Sequence, residues 1–74
     1  MKGKIGTSNM NFGNNLKNLR KRKNVTQKQL ATYLCLSRST IAGYETKSHQ
    51  PDFLTLEKLA IYFEVSIDYL ITGK

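Results

Sequence analysis

Between Thr26 and Thr46 the chain spells one helix-opening pattern twice, eleven residues apart, and this repetition constrains the fold more than any other feature. Thr26 and Gln29 form a capping box, in which each side chain takes up the other residue's free backbone N–H. Val25 before the cap and Leu30 at the fourth helical position make the hydrophobic pair that sets how the chain enters the helix. Leu30, Ala31 and Leu34 then give one apolar stripe at helical spacing, predicting a helix over about 26–34. The pattern returns at Ser37, which caps, with Leu36 pairing with Ile41, and predicts a second helix over about 37–46. Only Cys35 and Leu36 lie between the last stripe residue and the new cap, so the two helices must cross steeply.

Two short helices joined in this way make a helix-turn-helix. On a helix drawn at about 100° per residue, Ile41 and Tyr44 share the side to be buried. The opposite side carries Ser39, Ala42, Gly43 and Thr46, with Arg38 on its flank at the positive N-terminal end. Solvated faces usually carry Lys, Glu and Gln, so this small, uncharged centre predicts close approach to a partner.

The rest of the chain supplies further helices. Phe12, Leu16 and Leu19 recur at helical spacing and predict helix one over about 11–23. Asp52 caps a fourth helix with Phe53, Leu56, Leu59, Ala60 and Phe63 on its core face. Val65 and Ser66 open a short fifth helix that stops before Gly73. Residues 1–10, with Lys2 and Lys4, read as a flexible basic tail, either a plain tail or an arm along a polyanion, and residues 11–74 as the domain. On helix four, Leu54 and Ile61 point away from the core face, with Tyr62 beside them and Ile71 near the chain end. Together they are expected to form the contact of a twofold dimer.

Charge narrows the partner. The net charge is +7, with +9 over residues 1–50 and −2 over 51–74, so the basic half is the half with the two crossed helices. That placement points to a polyanion. Seventy-four residues allow one domain with a small core. No apolar run is long enough to span a membrane and no secretory segment is evident, so the expected compartment is the cytoplasm. One cysteine excludes an internal disulfide, and no Cys/His cluster has metal-ligand spacing. One histidine and no usefully spaced carboxylate pair exclude an enzyme, and no cofactor or small-molecule substrate is expected.

The spacing of Arg20, Thr26-Gln27, Leu30-Ala31, Ser37, Ile41, Tyr44-Glu45, Pro51, Leu56, Leu59-Ala60, Val65-Ser66 and Asp68-Tyr69-Leu70 resembles the Cro/repressor-type helix-turn-helix domain, the XRE family of phage repressors and small bacterial regulators. The resemblance covers about residues 11–73. It implies an all-α, compact five-helix domain of the lambda-repressor-like fold that binds double-stranded operator DNA as a homodimer, with the 37–46 helix in the major groove of an inverted repeat. It also implies an ion pair between Arg20 and Glu45 and a phosphate contact by Gln27, aided by the helix N-terminus. Arg38, Ser39, Ala42, Gly43 and Thr46 are then the candidate base readers, and Thr26, Gln27, Lys28, Thr40, Lys47 and His49 the candidate phosphate contacts.

The resulting expectation is a sequence-specific transcriptional regulator, a repressor in the first instance. The rival is a protein-interaction module, an antitoxin or adaptor, using the same face. The chain departs from the family pattern in two places. Thr46-Lys47-Ser48 stands where relatives place Asn-Gly or a similar pair. Cys35, expected to be half-buried, stands where many have glycine, and a left-handed conformation there would carry strain.

Overall fold

A computed structural model describes the backbone of residues 4–46 and 49–74, with side chains described over 12–46 and 49–74. Its helices are α1 (Lys4–Arg22), α2 (Gln27–Leu34), α3 (Arg38–Thr46), α4 (Phe53–Phe63) and α5 (Ile67–Thr72), and no strand occurs among the described residues. Four of them open at the capping residues expected. Thr26 Oγ1 accepts from the Gln29 N–H at 3.0 Å while Gln29 Oε1 accepts from the Thr26 N–H at 2.8 Å, completing the capping box. Ser37, Asp52 and Ser66 accept from the amides of Thr40, Thr55 and Tyr69 at 3.1, 2.9 and 2.9 Å. The bonds from Thr55 hold the Asp52 carboxyl below its usual range.

The joints are as economical as the caps. Asn24, Cys35 and Glu64 all adopt left-handed backbone, at φ 60°, 60° and 58°. After each, the amide of an apolar residue reaches back to close the preceding helix: Val25 to Arg20 O at 3.0 Å, Leu36 to Ala31 O at 2.9 Å, Val65 to Ala60 O at 3.0 Å. This is the Schellman ending, and the apolar residue is also the one that precedes the next N-cap. One side chain thus packs the end of one helix and the start of the next, and Val25, Leu36 and Val65 all lie against the core.

Cys35 is left-handed, as its departure from the family pattern foreshadowed, but it is exposed rather than half-buried, because the turn tips its side chain off the α2 stripe. Left-handed geometry costs a residue with a Cβ roughly 1–2 kcal/mol, partly offset in glycine by its freer unfolded chain. Cys35→Gly is therefore expected to raise stability by roughly 0.5–1 kcal/mol, read as a higher urea midpoint at unchanged slope. An unchanged or lower midpoint would show that the turn is unstrained.

Each helix contributes one wholly buried side chain to the centre: Leu16, Leu30, Ile41, Leu59 and Leu70. Phe12, Leu19, Leu34 and Tyr44 complete the layer around them. α1 lies across both α3 and α5, α2 packs on α3, and α4 on α5. Among the described residues no helix is long and apolar enough to cross a membrane.

Four expectations need correction. α1 begins at Lys4, not near Asn11, since no proline interrupts the intervening segment; of the expected tail, residues 1–3 lie outside the described residues. Phe53 is 63% exposed rather than on the core face, because rotation along α4 carries it about 120° away from Leu59. Tyr62 leaves the Leu54–Ile61 row and stacks towards α2, its ring centroid 4.5 Å from Tyr33 and 4.9 Å from Phe63, with Lys23 Nζ 5.2 Å from the ring. Ile71 is half-buried and lies apart from that row, lining an open cleft of about 150 Å³ with Phe12, Tyr44, His49 and Leu56. Leu54 and Ile61 remain in the open, at 65% and 71% exposure.

Candidate nucleic-acid interface

The face of α3 opposite Ile41 and Tyr44 is presented to solvent by the burial of those two side chains. Arg38, Ser39 and Thr46 are exposed on it and Ala42 is half-buried. Thr46 Oγ1 also donates to the Gly43 carbonyl at 3.4 Å. Gly43 itself is not part of the open face. It is buried, and an added Cβ there would lie 2.2 Å from Cδ2 of His49, whose ring covers it. The chain returns over α3 after its last turn, with the His49 N–H bonded to the Gly43 carbonyl at 3.2 Å. Lys47 lies outside the described residues.

Beside this face stands the N-terminus of α2. With the Thr26 and Gln29 amides engaged in the capping box, those of Gln27 and Lys28 belong to the first turn, which has no intrahelical acceptors. Thr26 and Lys28 are exposed there, and the Thr26 hydroxyl, an acceptor in the cap, keeps its own proton for a further acceptor. Thr40 instead shares a bond of 2.9 Å with the Ser37 hydroxyl at the start of α3.

The two helix ends are tied together by a chain of side-chain hydrogen bonds. Arg20 Nε donates to Glu45 Oε2 at 2.7 Å and Nη2 to Oε1 at 3.2 Å, a two-point pair joining α1 to α3. Arg20 Nη1 also donates to the Val25 carbonyl at 2.9 Å, anchoring the joint before α2. Glu45 Oε1 further accepts from Gln27 Nε2 at 3.1 Å, and Gln27 Oε1 accepts from Arg38 Nη1 at 2.9 Å. The Gln27 amide has only one orientation that satisfies both neighbours, nitrogen to the carboxylate and oxygen to the guanidinium. A buried carboxylate thus aligns Gln27, and Gln27 holds Arg38.

The Arg20–Glu45 pair was legible as a family trait; its extension through Gln27 to Arg38 was not. Two other supports had no visible signal. At Gly13 an added Cβ would meet the backbone oxygens of Glu45 and Tyr44 at 2.8 and 3.0 Å, so α1 crosses α3 nearly backbone to backbone. Asn15 Nδ2 donates to the carbonyls of Leu70 and Tyr69 at 3.0 and 3.4 Å, capping the end of α5 from α1. Both fix the platform on which α3 is displayed.

Comparison with known proteins bears on the same segment. A family model described as helix-turn-helix matches residues 16–70. The HTH-type transcriptional regulator YqaE of Bacillus subtilis is 40% identical over 63 residues, covering 85% of this chain and 54% of its own. The HTH-type transcriptional activator BcrR of Enterococcus faecalis is 38% identical over 65 residues, 88% of this chain and 32% of its own. ImmR, an HTH-type transcriptional regulator of B. subtilis, is 37% identical over 62 residues, 84% of this chain and 49% of its own. The chain spans about half the length of YqaE and ImmR and about a third of BcrR.

Proposed function

The chain belongs to the Cro/repressor-type helix-turn-helix family, and on that premise we propose that it is a sequence-specific DNA-binding regulator of transcription. The observation that carries this reading is the open α3 face, with Arg38 held at its edge by Gln27 beside the N-terminus of α2. An exposed helix of this width fits the major groove, and the α2 N-terminus then meets the phosphate backbone. Arg38 reads guanine through its forked donors, Ser39 donates or accepts, and Ala42 and the Thr46 methyl touch thymine methyls. Thr26, Gln27, Lys28 and Thr40 serve the phosphates, with Lys47 a further candidate.

The exposed row of Leu54 and Ile61 supports a twofold dimer on α4, which would read an inverted repeat with half-sites about 34 Å apart. Regulation is by occlusion of overlapping proteins, that is, repression; a reporter whose transcription rises with the protein would reverse that direction. Leu54→Lys and Ile61→Lys are expected to weaken the dimer in sedimentation, and a monomer–dimer constant unchanged in both would exclude this surface.

Selection from random duplex DNA at about 150 mM salt tests the function itself, since non-specific binding is then typically about 10⁻⁴–10⁻⁶ M. An inverted repeat is expected. Arg38→Ala should then lose about 1–3 kcal/mol of discrimination at one base pair per half-site. Lys28→Ala should weaken all sequences alike and lower the log–log salt slope by about one. Recovery of no consensus, with a shallow salt slope, would mean that the face serves a protein partner instead.

A further inference from the structure

Two features that stand apart in the sequence, a glycine inside α3 and the chain's lone histidine, are one feature in the structure. Glycine in a helix interior costs about 0.5–1 kcal/mol relative to alanine, so its presence needs a reason at that position. The reason is contact: the imidazole of His49 lies on the Gly43 backbone, with Cδ2 2.2 Å and Cγ and Nε2 each 2.9 Å from where a Cβ would stand. Even alanine would expel the ring.

The place so occupied matters. Gly43 follows Ser39 by four residues and precedes Thr46 by three, so all three lie on one side of α3. Where a helix side chain would project from that side, the loop supplies an aromatic ring carrying two nitrogens. His49 is itself exposed, and its main chain is pinned by the bond from its N–H to the Gly43 carbonyl at 3.2 Å. Cδ2 is the ring atom nearest the position a Gly43 Cβ would take, so the Nδ1–Cε1 edge is the side of the ring farther from that position, and the ring also borders the cleft beside Tyr44.

We propose that His49 is a specificity-determining residue of the DNA interface: seated in the notch left by Gly43, it presents a ring N–H to a purine N7 in the major groove. This deepens the DNA-reading function proposed above and rests on it. It moves His49 from the phosphate contacts to the base contacts and makes Gly43 its seat rather than a reader. The chemistry is that of a single donor meeting a single acceptor, for which the N7 edge of guanine or adenine is the matching group.

The test compares the parent with His49→Ala and Gly43→Ala, each first shown by thermal melting to fold. Binding is measured to the selected site, to every single-base variant of it, and to sites carrying 7-deazapurines. One base pair per half-site, different from the pair lost in Arg38→Ala, should lose about tenfold in discrimination in both variants. The double variant should lose no more than either single one, because Gly43→Ala acts by displacing the ring. Replacing the purine at that pair by its 7-deaza form should weaken the parent about tenfold and leave His49→Ala unchanged.

If His49→Ala weakens all sequences alike, or leaves every preference intact, the proposal is overturned while the Arg38→Ala result still upholds reading by α3. If the parent selects no sequence, the DNA-reading function falls and this assignment with it. Should Gly43→Ala fail to fold, the His49→Ala and 7-deazapurine arms decide alone.

Discussion

Glu45→Ala is expected to cost about 3–5 kcal/mol, enough to consume most of the stability of a domain this small. The Arg20 and Glu45 side chains are only 11% and 4% exposed, and Arg20 keeps the Val25 carbonyl alone once the carboxylate is gone. A buried guanidinium without its anion is the penalty, which is larger than the net value of the intact pair. A charge-free replacement, Arg20→Met with Glu45→Leu, should therefore recover much of the loss in urea denaturation. A charge-free double variant destabilised by the sum of the two single losses would show that the pair is not coupled. The charge-free variant also separates folding from reading. With no carboxylate to hold its amide, Gln27 no longer fixes Arg38, so discrimination at the Arg38 base pair should fall although the domain folds.

Gly13→Leu is the second large effect, with an expected loss of about 3 kcal/mol or more. The nearest atoms to an added Cβ are the main-chain oxygens of Glu45 and Tyr44, at 2.8 and 3.0 Å, and backbone of a packed helix cannot rotate aside. Overpacking usually costs about 1–3 kcal/mol, and the bulk beyond Cβ adds to it; the gain in helix propensity returns at most about 1 kcal/mol. Gly13→Ala should show the same sign at smaller size. A midpoint for Gly13→Ala at or above that of the parent would mean that α1 can lift from α3 without penalty.

Both effects act on α3 from α1, which is how a surface helix acquires a fixed pose. α3 has only nine residues, too few to persist alone. Its orientation comes from Ile41 in the core, Glu45 on Arg20, and the close crossing at Gly13. The loop then closes over its far end through His49.

What was legible in the chain and what was not divides along sequence separation. Thr26 with Gln29, Ser37 with Thr40, Asp52 with Thr55 and Ser66 with Tyr69 are partners three residues apart, so their bonds follow from local geometry whatever the rest of the molecule does. The same holds for the apolar stripes, which placed Leu16, Leu30, Ile41 and Leu59 in the core. The strip from Leu54 to Ile61 was readable for the same reason, whereas Phe53 and Tyr62 were misplaced because a single helix cannot show which neighbour lies against each flank.

The sequence by itself thus determined where α2 to α5 begin, that α2 and α3 are joined by a two-residue turn, most of the stripe each buries, and that the basic half carries the two crossed helices. Only the tertiary structure decided which groups meet between helices. Asn15 finds the carbonyl of Leu70 at a separation of 55 residues, and Arg20 finds Glu45 at 25, a pair known beforehand from family likeness alone. The Gln27–Arg38 bond and the seat of His49 on Gly43 belong to the same class. Such contacts are set by crossing angles and side-chain directions to within an ångström or so, and short-range propensities carry no information at that scale. The helices were written locally; the proposed reading surface exists only where they pack.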